Sequence, residues 1–416
     1  MGQYLVLITW LLIFSFISWK NLRFGIYFIV FSLPAYFLRP SIFGVPTTVL
    51  ELEIYFLFLV SVFKGEWNIK KIKILFLDKL FLIATVLFFC GVIFSTIISS
   101  NFLISLGILK GWFFDPFLFG LIVFLTVKSK ADIKNILLSF SLSGILVSVV
   151  SLFYRFFGSL TYDGRLKGFF LSPNHLAMYL CPCLLITGYF FLIEKRKKWK
   201  IAWLLGLIMI SSAIYFTYSY GAWLGIIFCL WLWMMFFLKG KARILGIIGL
   251  IAVIFILTVF QLDSQKFKNL IESPRSPLQS RIMLWQAALR IGTDNFFLGI
   301  GPGMFQKYYL DYQKYFIPYL EWAVPQPHNI LLAFWIQNGV FGVVGFVLLV
   351  FWFFKNGILR KNAGNRGLYA LLMLIMVYFL AHGLVDTTYW KNDLSLVFWL
   401  IIFLAVYLNQ PILNKD

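Results

Sequence analysis

Long apolar runs alternate with short polar joints along almost the whole chain. The runs cover about residues 4–18, 24–38, 43–63, 79–100, 111–127, 132–157, 174–193, 201–218, 220–238, 243–261, 329–354, 367–385 and 394–408. A helix needs about 20 residues to cross the hydrocarbon of a bilayer, and backbone polar groups in lipid must be satisfied within the segment. Because runs near the N-terminus are short or carry acids, the pattern predicts an all-α integral membrane protein with about 12 to 13 spans.

Composition excludes a soluble globular protein, since 61% of the 416 residues are hydrophobic and only 12% are charged. The net charge of +20 is compatible with a nucleic-acid partner, but the positions of the Lys and Arg residues argue against one. They concentrate in alternate joints, at residues 20–23, 64–79, 128–134, 195–200, 239–243 and 355–366. The positive-inside rule assigns these joints to the cytoplasm, so the charge predicts membrane orientation and no nucleic-acid partner.

This orientation divides the chain into four parts. Residues 1–130 are expected to form N-terminal transmembrane helices, the first of them retained, since it lacks the features of a cleaved signal peptide. Residues 131–261 carry further helices and a first extracytoplasmic loop at 158–173, residues 262–328 form a large extracytoplasmic loop, and residues 329–416 form the C-terminal helices. Of the Lys and Arg residues not assigned to the cytoplasm, ten fall between Arg155 and Lys314, on the far side of the membrane or near it, which suggests an anionic ligand there.

The first extracytoplasmic loop combines cations with the start of a helix. Arg165 and Lys167 precede Pro173 and Asn174, a pair suited to opening a helix. The free N–H groups of a helix N-terminus attract anions, so the loop predicts a phosphate or pyrophosphate site. Alternatively, Arg165 reaches to lipid headgroups without a specific ligand.

The large loop is expected to contain two short helices. In the first, Ser280 is the predicted cap, Arg281 lies in the first turn, and apolar residues recur at 282, 285, 288 and 289. The glycine-rich turn at 299–303 lacks the strand and lysine of a nucleotide-binding loop. It predicts a tight reversal that brings Arg281 close to the aromatic segment 308–319.

Three histidines are the main candidates for proton transfer. His328 precedes the run at 329–354, where a helix N-terminus favours a neutral imidazole able to act as a general base, although structural hydrogen bonding explains it equally well. His175 is expected to have a core or supporting role. His382 and Asp386 are four residues apart and are predicted to share a helix face, as a structural or a functional pair. The four cysteines lie in apolar runs and imply neither disulfides nor a metal site.

These features together resemble the O-antigen ligase and polymerase superfamily of bacterial membrane glycosyltransferases, over about residues 135–390. Three segments carry the resemblance: 164–174, 280–303, and His328-Asn329 followed by Gly339-x-x-Gly342. The resemblance implies a fold of the C type of glycosyltransferases, with no cofactor or metal. It also implies transfer of a glycan from undecaprenyl diphosphate to an acceptor hydroxyl, at the outer face of the bacterial cytoplasmic membrane.

The resemblance also assigns roles to residues of this sequence. It implies a catalytic His328 and diphosphate-binding Arg165 and Arg281. Beside these we place Lys167 and Asn174 at the donor, and Asn329, His175, His382 and Asp386 around the site. Two departures stand out: Tyr220 occupies a position where relatives often carry arginine, and Phe169 one where leucine is common.

Three functions are compatible with these observations. The first is a ligase that joins a lipid-linked glycan to a glycan, lipid or cell-wall acceptor. The second is a polymerase of the same superfamily, which extends repeat units on the lipid carrier. The third is a polysaccharide transporter or flippase, which predicts charged residues and broken helices near the middle of the membrane.

Overall fold

The computed structural model describes residues 2–42, 45–75, 77–158, 160–262, 267, 277–317, 323–359 and 366–409. The helices in this part are α1 (Gly2–Lys20), α2 (Leu22–Phe31), α3 (Val49–Phe63), α4 (Ile69–Leu75), α5 (Lys79–Ile97), α6 (Phe102–Ile108), α7 (Asp115–Thr126), α8 (Lys130–Phe156), α9 (Pro173–Ile193), α10 (Lys197–Phe216), α11 (Tyr220–Phe237), α12 (Gly240–Gln261), α13 (Pro277–Asp294), α14 (Phe305–Tyr312), α15 (Ile330–Leu359), α16 (Arg366–Gly383) and α17 (Asn392–Asn409). A π-helical segment, Leu109–Phe114, joins α6 to α7, and Leu33–Phe37 and Gln313–Tyr315 are short 3₁₀ turns.

Within these described ranges, ten helices are long and apolar enough to cross a membrane, which confirms an all-α integral membrane protein. They correspond to the last ten predicted runs, from 79–100 through 394–408. The three earlier runs correspond to the apolar segment Leu5–Lys20, to α2 and to α3, each shorter than the 18 residues that this criterion requires, so the described residues give ten candidate spans where the pattern predicts 12 to 13. One reason is local: Pro34 lies in a 3₁₀ turn that follows α2, and a two-residue hairpin, Ser41–Ile42 with Val45–Pro46, precedes α3.

The centre of the bundle is built on close backbone contacts between α5 and α15. A side chain at Gly91 would overlap the backbone of Gly342, and one at Gly345 would overlap Phe88. Small residues let membrane helices approach closely, where van der Waals packing replaces the hydrophobic effect. The C-terminal helix α17 is buried along its whole length beside them. The second glycine of the Gly339-x-x-Gly342 motif therefore has a packing role.

The first glycine of that motif interrupts α15, which the sequence predicted as continuous. Gly339 has a φ of 65°, and a side chain there would overlap the backbone of Phe297. The glycine-rich turn docks into this break: the amide groups of Ile300 and Gly301 donate to the carbonyls of Ile336 and Gln337 at 2.8 and 3.2 Å. The turn thus closes the open hydrogen bonds of a broken helix and anchors the large loop to the bundle.

Alternation of the spanning helices places the described parts of four joints, residues 157–158 and 160–172, 217–219, 277–317 with 323–329, and 384–391, at one face of the bundle. We call this the loop face. The 3₁₀ turn after α2 reaches the same face, because Tyr36 contacts His175 at the start of α9. The candidate residues for chemistry therefore lie in these joints or at the helix ends beside them.

Candidate functional site

His328 lies immediately before α15 in a strained conformation. Its φ of 49° is in the left-handed region, which costs roughly 1–3 kcal/mol for a residue other than glycine. Its carbonyl accepts a hydrogen bond from Trp285 Nε1 at 3.4 Å, and its ring Nδ1 lies 3.0 Å from Asp386 Oδ1. The side chain is 32% exposed. The surrounding contacts thus hold a strained histidine with part of its ring open to solvent.

Asp386 determines which ring nitrogen of His328 is free. Burial opposes a charged carboxylate, but the charge and hydrogen bond of His328, with the charge of Arg281, outweigh it and hold the pKa of Asp386 well below its usual value. An ionised carboxylate only accepts hydrogen bonds, so the Nδ1 that faces it carries the proton. In neutral His328, Nε2 is then left as the proton acceptor.

Asn174 connects this pair to Arg165. Its Nδ2 donates to Asp386 Oδ2 at 2.8 Å, and its Oδ1 accepts from Arg165 Nη2 at 2.6 Å. Arg165 Nε also donates to the Thr217 carbonyl at 2.8 Å, which fixes the guanidinium against the turn between α10 and α11. The Arg165 side chain is only 14% exposed. A rigid, nearly buried cation therefore lies one hydrogen-bonded residue away from the His328–Asp386 pair.

Arg281 on α13 belongs to the same cluster. Its charge contributes to the low pKa of Asp386, and it lowers the pKa of Arg165 in the same direction as burial, which is the larger cause. Its Nε is buried and has no hydrogen-bond partner among the residues that the structure describes. Two arginines thus lie in one cluster, and one of them retains an unpaired donor among the described residues, an arrangement suited to an anion with several oxygens.

The predicted helix that carries Arg281 is present, but its start differs from the prediction. It begins at Pro277, so Ser280 is not its cap. The residues buried against its neighbours are Met283, Leu284, Ala287, Ala288 and Ile291, whereas Ile282 and Leu289 are exposed. The period of the apolar residues predicts the helix but not the direction of its partners, here α15 and the short helix α14.

His175 forms a second histidine–aspartate pair, separate from the first. Its Nε2 lies 3.2 Å from both oxygens of Asp393 and 3.3 Å from the hydroxyl of Tyr36. The two side chains of the pair are 2% and 0% exposed. Although Asn174 and His175 are adjacent in sequence, they contact different carboxylates. The first turn of α9 therefore separates two clusters.

Three expectations about pairing and capping need correction. Ser172, not Asn174, caps α9, by accepting a hydrogen bond from the His175 amide at 3.2 Å. His382 bonds to the Tyr378 hydroxyl at 2.7 Å and shares no hydrogen bond with Asp386. Helix α16 ends at Gly383, so Asp386 is outside it and the predicted common helix face does not exist.

Asn329 and Lys167 complete the predicted set. Asn329 Oδ1 accepts from the amides of Leu331 and Leu332 at 3.0 and 3.1 Å, and its Nδ2 donates to the Leu384 carbonyl at 3.0 Å. It therefore caps α15 and ties it to the loop that carries Asp386. Lys167 is half-buried, and none of the described contacts joins its side chain to the cluster.

Sequence reasoning missed the partner of His328 and the turn that supports Arg165. Tyr218, in that turn, has a φ of 47° and is, with His328, one of two left-handed residues other than glycine in the described ranges. The sequence comparison had pointed only to Tyr220, at the end of this turn, where relatives often carry arginine. Its hydroxyl contacts Gln261. Strain at both positions beside the arginine cluster is typical of a functional site.

The fold defines a multi-pass membrane protein, and these contacts bring cations and a histidine together at the loop face. Residues 204–347 match a family model described as O-antigen ligase, which confirms the resemblance to the O-antigen ligase superfamily. The matched region contains Arg281, His328 and the Gly339–Gly342 motif, and excludes Arg165 and Asp386, which complete the cluster. A search of curated proteins gave no match.

Proposed function

We propose that this protein is a metal-independent membrane glycosyltransferase with a C-type fold, which moves a glycan from undecaprenyl diphosphate to an acceptor hydroxyl. The reaction takes place at the loop face, which we assign to the extracytoplasmic side of the bacterial cytoplasmic membrane from the basic joints on the opposite face. The observation that carries the proposal is the half-exposed His328, paired with Asp386 beside Arg165 and Arg281.

The histidine acts as the general base. Its Nε2 takes the proton of the acceptor hydroxyl as the hydroxyl oxygen attacks the anomeric carbon of the donor sugar. Asp386 holds the ring by its Nδ1–H and stabilises the imidazolium that forms. The bond from the anomeric carbon to the diphosphate oxygen breaks with inversion, so no carboxylate nucleophile is needed.

The two arginines stabilise the leaving group. Negative charge grows on the diphosphate as the glycosidic bond breaks, and preorganised cations lower the energy of that state. Arg165 is held by Asn174 and Thr217, whereas the buried Nε of Arg281 has no hydrogen-bond partner among the described residues. A fixed guanidinium beside one that retains a donor suits an anion that must bind, react and leave.

Transfer by the purified protein tests the proposal. The full chain in nanodiscs, given an undecaprenyl-diphosphate-linked glycan and a panel of hydroxyl acceptors, should release undecaprenyl diphosphate with and without EDTA. Release of undecaprenyl diphosphate should require the acceptor and should disappear in His328→Ala. The control variant Lys307→Ala, at an exposed position of the large loop, should retain this release. Full transfer by His328→Ala would contradict the mechanism.

The choice between ligase and polymerase depends on the acceptor. We favour the ligase, because residues 204–347 match the O-antigen ligase model. In a strain that lacks the gene, loss of a ligase leaves long glycan chains on the lipid carrier, unattached to their acceptor. Loss of a polymerase instead leaves single repeat units, and this phenotype would replace our assignment with the second function.

A further inference from the structure

We propose that an apolar cavity between α9, α10, α11 and α16 binds an acyl chain of an anionic glycerophospholipid, whose phosphate group lies among cations at the cavity mouth. The cavity lies toward the helix ends that are opposite the loop face, and the basic joints assign these ends to the cytoplasmic leaflet. The inference goes beyond the proposed transferase function, because it concerns another part of the bundle and another ligand.

The cavity exists because α11 and α16 are in close contact only near the loop face. A Cβ atom at Gly221 would lie 3.0 Å from the His382 ring, and one at Gly225 would lie 3.1 Å from the Tyr378 ring. Farther along α11, the cavity wall includes a large side chain, Trp233. Small residues let membrane helices approach closely, so a wedge of space remains between the helices beyond the two glycines.

The cavity has the size and the lining of a site for a hydrocarbon chain. Its volume is about 550 Å³, within the roughly 300–1,000 Å³ of small-molecule sites. Among the described residues, no charged side chain lines it, and Leu184, Leu371 and Leu374 belong to its walls. The cavity opens to the surface of the bundle, since the lining residues Leu192 and Phe237 are 57% and 41% exposed. A lipid chain can therefore enter from the bilayer and pack against these walls.

The first group of cations at the cavity mouth comes from the joint between α9 and α10. Residues 194–200 follow the last lining residue of α9 and contain five cations, with Glu194 as their sole acid. Glu194 pairs with Arg196 at 3.2 Å. Lys200 is exposed, and its Nζ lies 5.2 Å from the centroid of the ring of Phe191, another lining residue. A cation of this joint therefore contacts the cavity wall itself.

Two more cations adjoin the mouth from other parts of the chain. Lys239 follows the lining residue Phe237 by two positions, and Arg366 directly precedes the lining residue Gly367. Because consecutive Cα atoms are about 3.8 Å apart, each cation has its Cα within about 8 Å of that of a wall residue. Both residues are exposed, and in the part of the chain that the structure describes no ion pair within 4.0 Å joins them or Lys200 to an acid.

The polarity of two helices gives a second reason to expect an anion at this mouth. Helix α10 begins at Lys197 and α16 begins at Arg366, and neither has an acid in its first turn. Cations there oppose the positive end of the helix dipole, whereas an anion offsets both charges. A phospholipid combines this anion with a chain that fits the cavity. Basic pockets between membrane helices on the cytoplasmic side are typical sites for such lipids.

Lipid retention tests the site. The full chain is reconstituted in vesicles of equal amounts of phosphatidylglycerol and phosphatidylcholine with identical acyl chains, extracted in a mild detergent and measured by native mass spectrometry. The wild type should retain phosphatidylglycerol about tenfold more than phosphatidylcholine, because several cations near the headgroup attract an anionic lipid. Glycerol 3-phosphate should not displace the retained lipid, because it lacks the chain that packs in the cavity.

A triple variant and a matched control test the cations. The variant removes three cations at the mouth: Lys200→Gln, Lys239→Gln and Arg366→Gln. The control removes the same charge from three exposed positions of the basic joint 64–79: Lys70→Gln, Lys73→Gln and Lys79→Gln. The variant should retain the two lipids about equally, whereas the control should keep the wild-type preference, because only the first set adjoins the cavity.

Gly188→Phe tests the cavity. Gly188 lines it, and a Cβ atom there would meet no atom of another helix within 4 Å among the described residues. A benzyl group at this position therefore occupies cavity space without displacing a neighbour. The variant should retain about tenfold less of both lipids, because the acyl chain supplies most of the contact area. If Gly188→Phe does not fold, the triple variant and its control still decide.

Three kinds of result would overturn the lipid site. One is equal retention of both lipids by the wild type, or the same preference in the triple variant and its control. Another is wild-type retention by folded Gly188→Phe. The third is displacement of phosphatidylglycerol by undecaprenyl phosphate added to the vesicles, which would assign the cavity to the lipid carrier. These measurements require no glycan transfer, so the lipid site and the proposed function can fail separately.

Discussion

Two histidine–aspartate pairs lie near each other at the loop face, yet their surroundings differ. The nitrogen–oxygen distances are similar, at 3.0 Å for His328–Asp386 and 3.2 Å for His175–Asp393. The His328 side chain is 32% exposed and its backbone is in the left-handed region. The His175 side chain is 2% exposed and lies in a regular helix. Pairing alone therefore does not identify a reactive histidine. Solvent access distinguishes the two histidines, because a general base must touch its substrate, and backbone strain is a second difference that is common at functional sites.

The cations extend the contrast. Arg165 and Arg281 lie around the accessible pair, and within the described ranges the Nε of Arg281 has no hydrogen-bond partner. The sealed pair instead joins α9 to α17 and to the turn at Tyr36. We interpret the first pair as catalytic and the second as an anchor for the helices that carry the first. Four substitutions test this division, in order of their expected effect on transfer.

His328→Ala should have the largest effect. Loss of the general base should lower kcat about 10³-fold, with little change in donor KM, because the arginines remain. Thermal unfolding should shift to lower temperature by less than in His175→Ala, because Asp386 keeps its hydrogen bonds from Asn174 and from the Thr387 amide. A variant with normal kcat, measured beside Lys307→Ala, would end the distinction between the two pairs.

Asp386→Asn should come next. The amide cannot stabilise the imidazolium, so kcat should fall about 10²-fold.

Because the folded pKa of Asp386 is depressed, its charge contributes to stability throughout the neutral range and this contribution is lost only as pH falls through that low pKa. Asp386 therefore does not titrate between about pH 5 and 8. Removal of its charge should move the acid limb of the kcat–pH profile to lower pH, and an unmoved limb would exclude this partnership.

Arg281→Ala should weaken donor binding more than turnover. Loss of a charge-assisted contact to the diphosphate should raise the donor KM about 10- to 100-fold. Arg281→Lys should restore part of this loss, since an ammonium keeps the charge but lacks the planar fork. The measurement is the dependence of initial rate on donor concentration. Equal donor KM in all three proteins would remove Arg281 from the site.

His175→Ala should have the smallest effect on transfer and a large one on stability. It leaves the carboxylate of Asp393 buried without its partner, which should cost about 3 kcal/mol. Unfolding in detergent, followed by near-UV circular dichroism, should shift to lower temperature. At a temperature where the variant is folded, kcat and donor KM should match the wild type. Loss of kcat in a fully stable variant would instead make the second pair catalytic.

Much of the site was predictable from sequence. The polarity pattern and the resemblance identified Arg165, Arg281 and His328, and the structure brings all three around Asp386. The prediction that His382 pairs with Asp386 was wrong because it assumed one helix through both residues, whereas α16 ends at Gly383. Asn174 was placed at the donor site and also assigned to the start of α9, a local role that Ser172 fills, whereas the Asn174 side chain bridges Arg165 and Asp386. Both errors came from the choice of a near partner over a distant one.

The sequence by itself determined the membrane class, the ten long spans and the loops that carry the cations. These properties depend on hydrophobicity summed over about 20 neighbouring residues, which is local information. The tertiary structure alone decided that His328 pairs with a residue 58 positions away and Asn174 with one 212 positions away. Such contacts depend on how close-packed helices, among them α5 and the broken α15, bring their ends together. No local pattern of polar residues contains that packing.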